Sequence, residues 1–247
     1  MNKRNVVDIL LNEIVKSELI SCCFTNEAIY DEIASADLYC ITSSEKLSFF
    51  VKYQNDFLYL FDNLIHSIYK NNCLTGYYED GTIINIYCYS NFDFTVYGKI
   101  VPLFDPYNLL SNFKSKSFAY TNLEFAKKID EFCCVCFEYY DICKQNDKIA
   151  QYRKSLDIQE LFIQIYRIFY DSLNSKKGSY GISKTMNSKY VDNLVNFLKL
   201  FKFDYNIDAV KIVMNEINKI VDCLPVNVVS LFNIDFYNFT KKLIYSL

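Results

Sequence analysis

The spacing of hydrophobic positions changes character along this chain. Between residues 20 and 112, apolar residues come in short runs bounded by polar or turn residues, a pattern typical of strands. From residue 122 onward they recur at intervals of three and four, as on helices that face a core. The pattern therefore predicts an α+β protein, with a mixed β-sheet and flanking helices in residues 1–112 and a helical bundle in residues 113–247.

The first part of the chain predicts a hairpin, because Asp80-Gly81 separates two apolar runs and glycine tolerates positive φ. Asp105-Pro106 ends this region, since proline lacks the N–H that a central strand needs. The predicted helices are Asn5–Leu19, Glu45–Tyr53 and Asp56–Tyr69. The predicted strands are Ile20–Phe24, Ala36–Ile41, Cys73–Glu79, Ile83–Ser90 and Lys99–Phe104.

The second part predicts only helices, joined by segments that contain Ser, Gly, Asn and Pro. No internal repeat interrupts this pattern. The predicted helices are Asn122–Lys144, Ile158–Leu173, Lys189–Phe201, Asp208–Cys223 and Ile234–Tyr245.

Composition narrows the function classes. The 247 residues include 51% hydrophobic residues, enough for a sizeable core, and 26 basic against 29 acidic residues give a net charge of -3. No broad positive field exists to bind nucleic acid, and no apolar run reaches the roughly 18 residues that span a bilayer. The N-terminus lacks the apolar core of a signal peptide, so the ten cysteines predict a reducing cytoplasm rather than a disulfide framework.

One segment carries candidate chemistry. Ile20–Thr42 reads ISCCFTNEAIYDEIASADLYCIT, an apolar run, a polar turn, and a second apolar run with an acid near its start. With the helical second half, this layout resembles the antibiotic nucleotidyltransferases, particularly the lincosamide and aminoglycoside enzymes of kanamycin-nucleotidyltransferase type. The resemblance implies transfer of a nucleoside monophosphate from Mg-NTP to a hydroxyl of a small acceptor, with the acceptor between the two halves.

The resemblance implies three metal-binding positions. In that family two carboxylates alternate along one strand and a third lies on a neighbouring strand, so all three share one face. Asp37 matches the second of them, while Ser35 stands in place of the first and Asn85 in place of the third. Asp37 is then the predicted Mg²⁺ ligand, with Ser35 and Asn85 as weak, uncharged ligands.

The resemblance also implies a triphosphate-binding turn. Cys23-Phe24 lies near the position of the family's Gly-Ser pair, and Asp31 falls where family members often carry an acid. Replacement of glycine removes the backbone freedom that lets phosphate approach closely. Glu27, Asp31 and Glu32 are acids that could substitute for the missing carboxylates.

Loss of two carboxylates leaves two functions open. Phosphoryl-type transfer depends on metal charge, so one remaining carboxylate predicts a weakened or lost transferase activity. The alternative is a non-catalytic interaction protein that uses the same fold, through its cleft or through a homodimer face, to bind a partner. Nucleotide and a small hydroxylated acceptor are the expected ligands of an active enzyme.

Other candidate groups have competing structural explanations. The cysteines at 133, 134, 136 and 143 fit a buried helix better than a zinc site. The one histidine, His66, is predicted to lie partly buried on a helix rather than in a catalytic triad. Lys176, Lys177 and Lys184 are either solvated surface residues or ligands of a phosphate group. Aromatic side chains at Tyr77, Tyr78, Tyr87 and Tyr89 either pack in the core or stack on a ligand.

Overall fold

A computed structural model describes residues 3–26, 36–179 and 181–247. The chain divides into two compact units, Met1–Ser117 and Phe118–Leu247. The predicted α+β class is confirmed, because the first unit holds a mixed sheet and the second holds only helices among its described residues.

The first unit is built on a six-stranded sheet in the order β3-β4-β5-β2-β1-β6. Neighbouring strands run antiparallel except β2 and β5, which run parallel. The Asp80-Gly81 hairpin is confirmed, since it joins β4 to β5 and Gly81 has φ 79°. The strands are β1 (Cys22–Asn26), β2 (Ala36–Ile41), β3 (Leu64–Lys70), β4 (Cys73–Tyr78), β5 (Ile83–Tyr89) and β6 (Ile100–Phe104).

Two helices, α1 (Lys3–Lys16) and α2 (Ser44–Leu58), cover one face of this sheet. Ser43 caps α2, because its side chain accepts a hydrogen bond from the N–H of Lys46. The helix packs closely on β4, and a Cβ added at Gly76 would lie 2.9 Å from a methyl carbon of Leu58. Buried side chains from both helices and from alternate strand positions form this core.

Aromatic rings form a second, smaller core on the opposite face. The ring of Phe24 stacks on Tyr39 with centroids 5.0 Å apart, and Tyr39 stacks on Tyr87 at 4.6 Å. Phe94 lies 4.0 Å from Tyr89 in the same way. The rings of Phe24, Tyr39 and Tyr87 line up because neighbouring strands place these residues in register, whereas Phe94 reaches the stack from the connection after β5.

The helix predicted over Asp56–Tyr69 is wrong. Helix α2 ends at Leu58, and the chain turns into β3, the edge strand at Leu64–Lys70. His66 therefore lies exposed on a strand instead of partly buried on a helix, with its ring 6.4 Å from that of Tyr77. Apolar residues in β3 do not alternate with polar ones, because an edge strand with two partly exposed faces lacks the period-two signal.

The second unit is helical, and two of its predicted helices, Asn122–Lys144 and Ile234–Tyr245, are confirmed to the residue. The helix predicted from Ile158 begins ten residues earlier, where Asp147 caps it at the N–H groups of Ile149 and Ala150. The helices are α3 (Asn122–Lys144), α4 (Lys148–Tyr170), α5 (Ile182–Thr185), α6 (Ser188–Leu198), α7 (Asn206–Asp222), α8 (Val226–Val229) and α9 (Ile234–Tyr245).

The helical core includes a buried ion pair. Arg167 is fully buried on α4, and its guanidinium lies 3.3 Å from the carboxylate of Asp171. The same guanidinium donates to the carbonyl oxygen of Gly178 at 2.5 Å and to the hydroxyl of Thr185 at 3.0 Å. Asp171 also accepts from Asn174 at 2.8 Å. The pair therefore fixes the connection that follows α4, in addition to neutralising its own charges.

The helices in the described part of the chain are all too short or too polar to cross a bilayer.

Candidate functional site

A row of polar side chains crosses the middle of the sheet on its aromatic face. Asp37 on β2 lies directly opposite Asn85 on the parallel strand β5, and Asn85 lies opposite Thr75 on β4. All three side chains are partly exposed, whereas their strand neighbours Leu38 and Ile84 point into the helix-covered core. Strand alternation thus places the polar groups together on the face that helices α1 and α2 leave uncovered.

Hydrogen bonds link the row, and each is donated toward Asp37. The hydroxyl of Thr75 donates to Oδ1 of Asn85 at 2.7 Å, and Nδ2 of Asn85 donates to Oδ1 of Asp37 at 2.8 Å. An ionised carboxylate only accepts, so Asp37 sets the orientation of the amide, and the rotatable hydroxyl follows. The hydroxyl of Thr25 donates to the backbone oxygen of Asp37 at 2.7 Å and so holds β1 against this position.

Aromatic and thiol groups beside the row remain protonated at neutral pH. Burial, and then the charge of Asp37, raise the pKa of Tyr39 and of Tyr87 well above the usual range of tyrosine. Burial is also the main cause that raises the pKa of Cys73, while its hydrogen bonds with Thr75 and Tyr87 act against this rise. Among the described residues, the aromatic and thiol groups beside the Asp37 carboxylate are therefore neutral.

The predicted triphosphate-binding residues are both buried. Cys23 points into the helix-covered core, where its sulfur lies 3.9 Å from that of Cys40. Phe24 is fully buried in the aromatic core. Both residues lie within strand β1, paired with β2 on one side and β6 on the other, rather than in a turn. Their side chains are thus not presented to a ligand, and a triphosphate-binding role for this segment stays a prediction.

Four of the predicted site residues cannot be placed. Ser35 and Asp31 lie outside the described residues, as do the alternative acids Glu27 and Glu32. Their predicted roles as weak metal ligand, as phosphate-side acid and as substitute carboxylates stay predictions.

The described residues do not fit a magnesium pair. Mg²⁺ favours near-octahedral oxygen ligation with carboxylates, and two-metal centres need carboxylates to bridge the ions. Asp37 is the one carboxylate in the described row, and Asn85 turns its amide nitrogen rather than its oxygen toward it. Within the described ranges, no group of three or more His, Cys, Asp or Glu side chains could hold a metal ion.

Thr75 is the site residue that sequence reasoning missed. A threonine inside a strand is common because of its β-branched side chain, so its identity gives no signal. Its position follows only from the register of β4 on β5, which places it opposite Asn85. Counting back from a two-residue Asp80-Gly81 turn would have set Gly76 opposite Asn85 instead, because the observed hairpin has a three-residue loop between Tyr78 and Thr82.

For three lysines of the second unit, phosphate binding was one of the two interpretations that the sequence left open. Lys176 pairs with the carboxylate of Glu124 at 2.9 Å, and the ammonium of Lys177 lies 4.8 Å from the ring centre of Phe118. Lys184 is on the short helix α5. The first two therefore have structural partners within their own unit.

Comparisons with known proteins add little to this geometry. No family model matches the sequence, and no curated protein does. A crystal structure of an aminoglycoside 6-adenyltransferase from Bacillus subtilis is similar over 100% of this chain and 98% of that one, at 12% sequence identity and a TM-score of 0.43. A similarity at this level carries no argument about function.

Proposed function

We propose that this protein is a nucleotidyltransferase-like binding protein that does not use metal-dependent transfer. The observation that supports it is the hydrogen bond from Asn85 to Asp37, at the position where the family resemblance implies a third metal-binding carboxylate. The amide there satisfies Asp37 with a proton donor in place of a metal ion. Within the described residues, the row is therefore a chain of neutral donors that ends on one negative charge.

The charge of the row favours one class of ligand. Without a metal ion, a phosphate oxygen about 4 Å from the Asp37 carboxylate is repelled by about 1 kcal/mol in water and about 4 kcal/mol at an effective dielectric constant of 20. A hydroxyl or ammonium group is instead attracted, and the stacked rings of Tyr39 and Tyr87 lie two residues farther along the same strands, on the same face. The proposed ligand is a small molecule that carries hydroxyl or amino donors.

The test is thermal unfolding of the whole chain with a panel of amino- and hydroxyl-rich small molecules, without metal. A ligand at about 100 times its Kd stabilises a protein by about 2.7 kcal/mol. We expect at least one compound to raise the melting temperature, and Asp37→Asn to abolish that rise. Asp93→Asn is the matched control, because it removes the same charge from an exposed position of the same unit. A panel with no Asp37-dependent rise would refute the proposed site.

The transferase remains the second candidate, for one specific reason. Asp37 and Asn85 lie opposite each other on adjacent parallel strands, as the resemblance implies for two of the metal positions. Unfolding with ATP, GTP, CTP and UTP, with and without Mg²⁺, separates the two functions. A magnesium-dependent rise that Asp37→Asn removes would support transfer and overturn the binding proposal.

A further inference from the structure

The outer edge of β3 is an exposed strand edge with apolar side chains. β3 pairs with β4 on one side only and is the first strand in the sheet order. Ile65 is 66% exposed, Ile68 46% and Tyr69 44%. Within the described ranges, no backbone hydrogen bond outside the sheet ladder involves residues 65–69. Such an edge is a template for pairing with another strand.

The backbone groups that face outward follow from the ladder. The N–H of Tyr78 bonds the carbonyl of Thr82 on the β5 side, at 3.1 Å. The N–H and C=O groups of successive residues point to opposite sides of a strand, so those of the odd-numbered residues of β4 point toward β3. There they pair with even-numbered residues such as Ile68. Ser67 and Tyr69 therefore direct their N–H and C=O groups away from the sheet.

We propose that β3 pairs antiparallel with β3 of a second copy of this chain, with the two-fold axis at Ile68. In this register Ser67 of each copy bonds Tyr69 of the second copy, which gives four backbone hydrogen bonds. A two-fold axis at Ser67 would require Ile65 to pair in the same way. The register shift between Leu64 and His66 disrupts that position, so only the axis at Ile68 uses every regular outward-facing group.

Side-chain chemistry favours the same arrangement. Ile68 meets Ile68 of the second copy at the axis, where directly opposite side chains contact each other most closely. Residues 64–70 hold no acid, and Lys70 is their one lysine or arginine. Parallel pairing would set two Lys70 side chains against each other, whereas the antiparallel register offsets them by four residues, about 14 Å. A lysine often protects an edge strand, but here it lies at the end of the strand and leaves the centre apolar.

This interface is separate from the proposed ligand site, and it would place the ligand sites of two copies on the same sheet. Ile68 is in register with Thr75, Asn85 and Asp37, so the two polar rows would lie on one continuous sheet. Seven strand spacings of about 4.8 Å separate the two Asp37 residues, a distance of about 34 Å. One strand pair is a small interface, so the dimer should depend on concentration, with Kd in the range of about 1–100 µM.

Sedimentation equilibrium of the full chain over that concentration range tests the interface. We expect the wild type to pass from monomer to dimer, and Ile68→Lys to remain monomeric because two ammonium groups would meet at the axis. Ile65→Lys is the matched control, since it makes the same change on the same strand outside the four bonds. A wild type that stays monomeric at every concentration, or an Ile68→Lys variant that still dimerises, overturns the proposal.

Cysteine crosslinking tests the register and does not depend on tolerance of a lysine. In a background with the exposed Cys134 and Cys223 changed to serine, oxidised glutathione should link Ile68→Cys into a covalent dimer with loss of two thiol protons and reduction of the glutathione disulfide. Ile65→Cys is more exposed but lies about 20 Å from its symmetry mate in this register. Equal crosslinking of the two variants would show random collision and refute the register. Neither assay uses the Asp37 ligand, so failure here leaves the proposed function untouched.

Discussion

Asn85→Asp should destabilise the first unit strongly and in a pH-dependent way. The new carboxylate can still accept from Thr75, but it replaces a donor 2.8 Å from Asp37 with a like charge. A hydrogen bond to a charged group contributes about 1.5–3 kcal/mol, and two unit charges about 4 Å apart repel by about 1–4 kcal/mol at effective dielectric constants between 80 and 20. We therefore expect a loss of about 2.5–7 kcal/mol in the free energy of unfolding at pH 8, from the sum of these effects.

Urea unfolding at pH 8 and pH 5 measures this loss. The like-charged pair raises the pKa of one carboxyl in the folded state above its unfolded value, so the folded state holds an extra proton between the two values. Stability should therefore fall as the pH rises through the folded pKa, and part of the loss should be absent at pH 5. Thr75→Val is the control, because it removes only the neutral bond and should cost about 1 kcal/mol at both pH values.

A swap of the two residues completes the test. Asp37→Asn combined with Asn85→Asp restores one carboxylate opposite one amide, with the donor on the other strand. We expect the double variant to recover at least half of the loss at pH 8. If Asn85→Asp costs no more than Thr75→Val, shows no pH dependence and gains nothing from the swap, the hydrogen bond described here does not hold the row together.

Three further predictions concern parts of the chain away from this row. Of the ten thiols, those of the exposed Cys134 and Cys223 should react first with an aromatic disulfide under native conditions, followed by the partly exposed Cys73, and an early phase of more than three equivalents would contradict the burial of the other seven. Asp171→Ala should cost about 3–5 kcal/mol in urea unfolding because it leaves the Arg167 charge buried, whereas replacement of both residues by apolar ones should cost much less, and equal losses would refute this account. Hydrogen bonds from the N-cap backbone N–H and from a neighbouring lysine lower the pKa of Glu124 to about 2, so its stabilisation of α3 should be present above about pH 4.5 and be lost as the pH falls toward 2. Titration of that carboxyl by NMR at its ordinary pKa would contradict the described contacts.

The sequence predicted this fold best where local signals and tertiary packing agree. Helix α3 begins at a capping box of Thr121 and Glu124 and carries continuous helical spacing, so both of its ends were predictable. In β3, apolar residues stand at 64, 65, 68 and 69, a helical spacing that the edge position of the strand does not correct. The pairing of this segment with β4 makes it a strand, and that pairing cannot be read from its own sequence.

The candidate site was predictable only in part for a related reason. Asp37 is visible as an acid in an apolar run, and its partner Asn85 followed from the family resemblance. The direction of the amide and the role of Thr75 depend on strand register and on donor and acceptor identity across three strands. Neither quantity can be read from hydrophobic spacing, because a polar residue on a half-exposed strand face gives the same pattern whether or not it has a partner.

The parallel pairing of β2 with β5 has a consequence for the order in which the first unit folds. The β3-β4 and β4-β5 hairpins join strands that are close in sequence, so loop closure costs little and they can form early. Asp37 and Asn85 are 48 residues apart, and β2 must enter the sheet between β5 and β1 before they meet. The polar row is thus assembled only when the two hairpins and the β1-β2 pair have docked. A chain that stalls before this step would expose the β5 edge, so a slow refolding phase that Asn85→Ala alters would report the completion of the sheet.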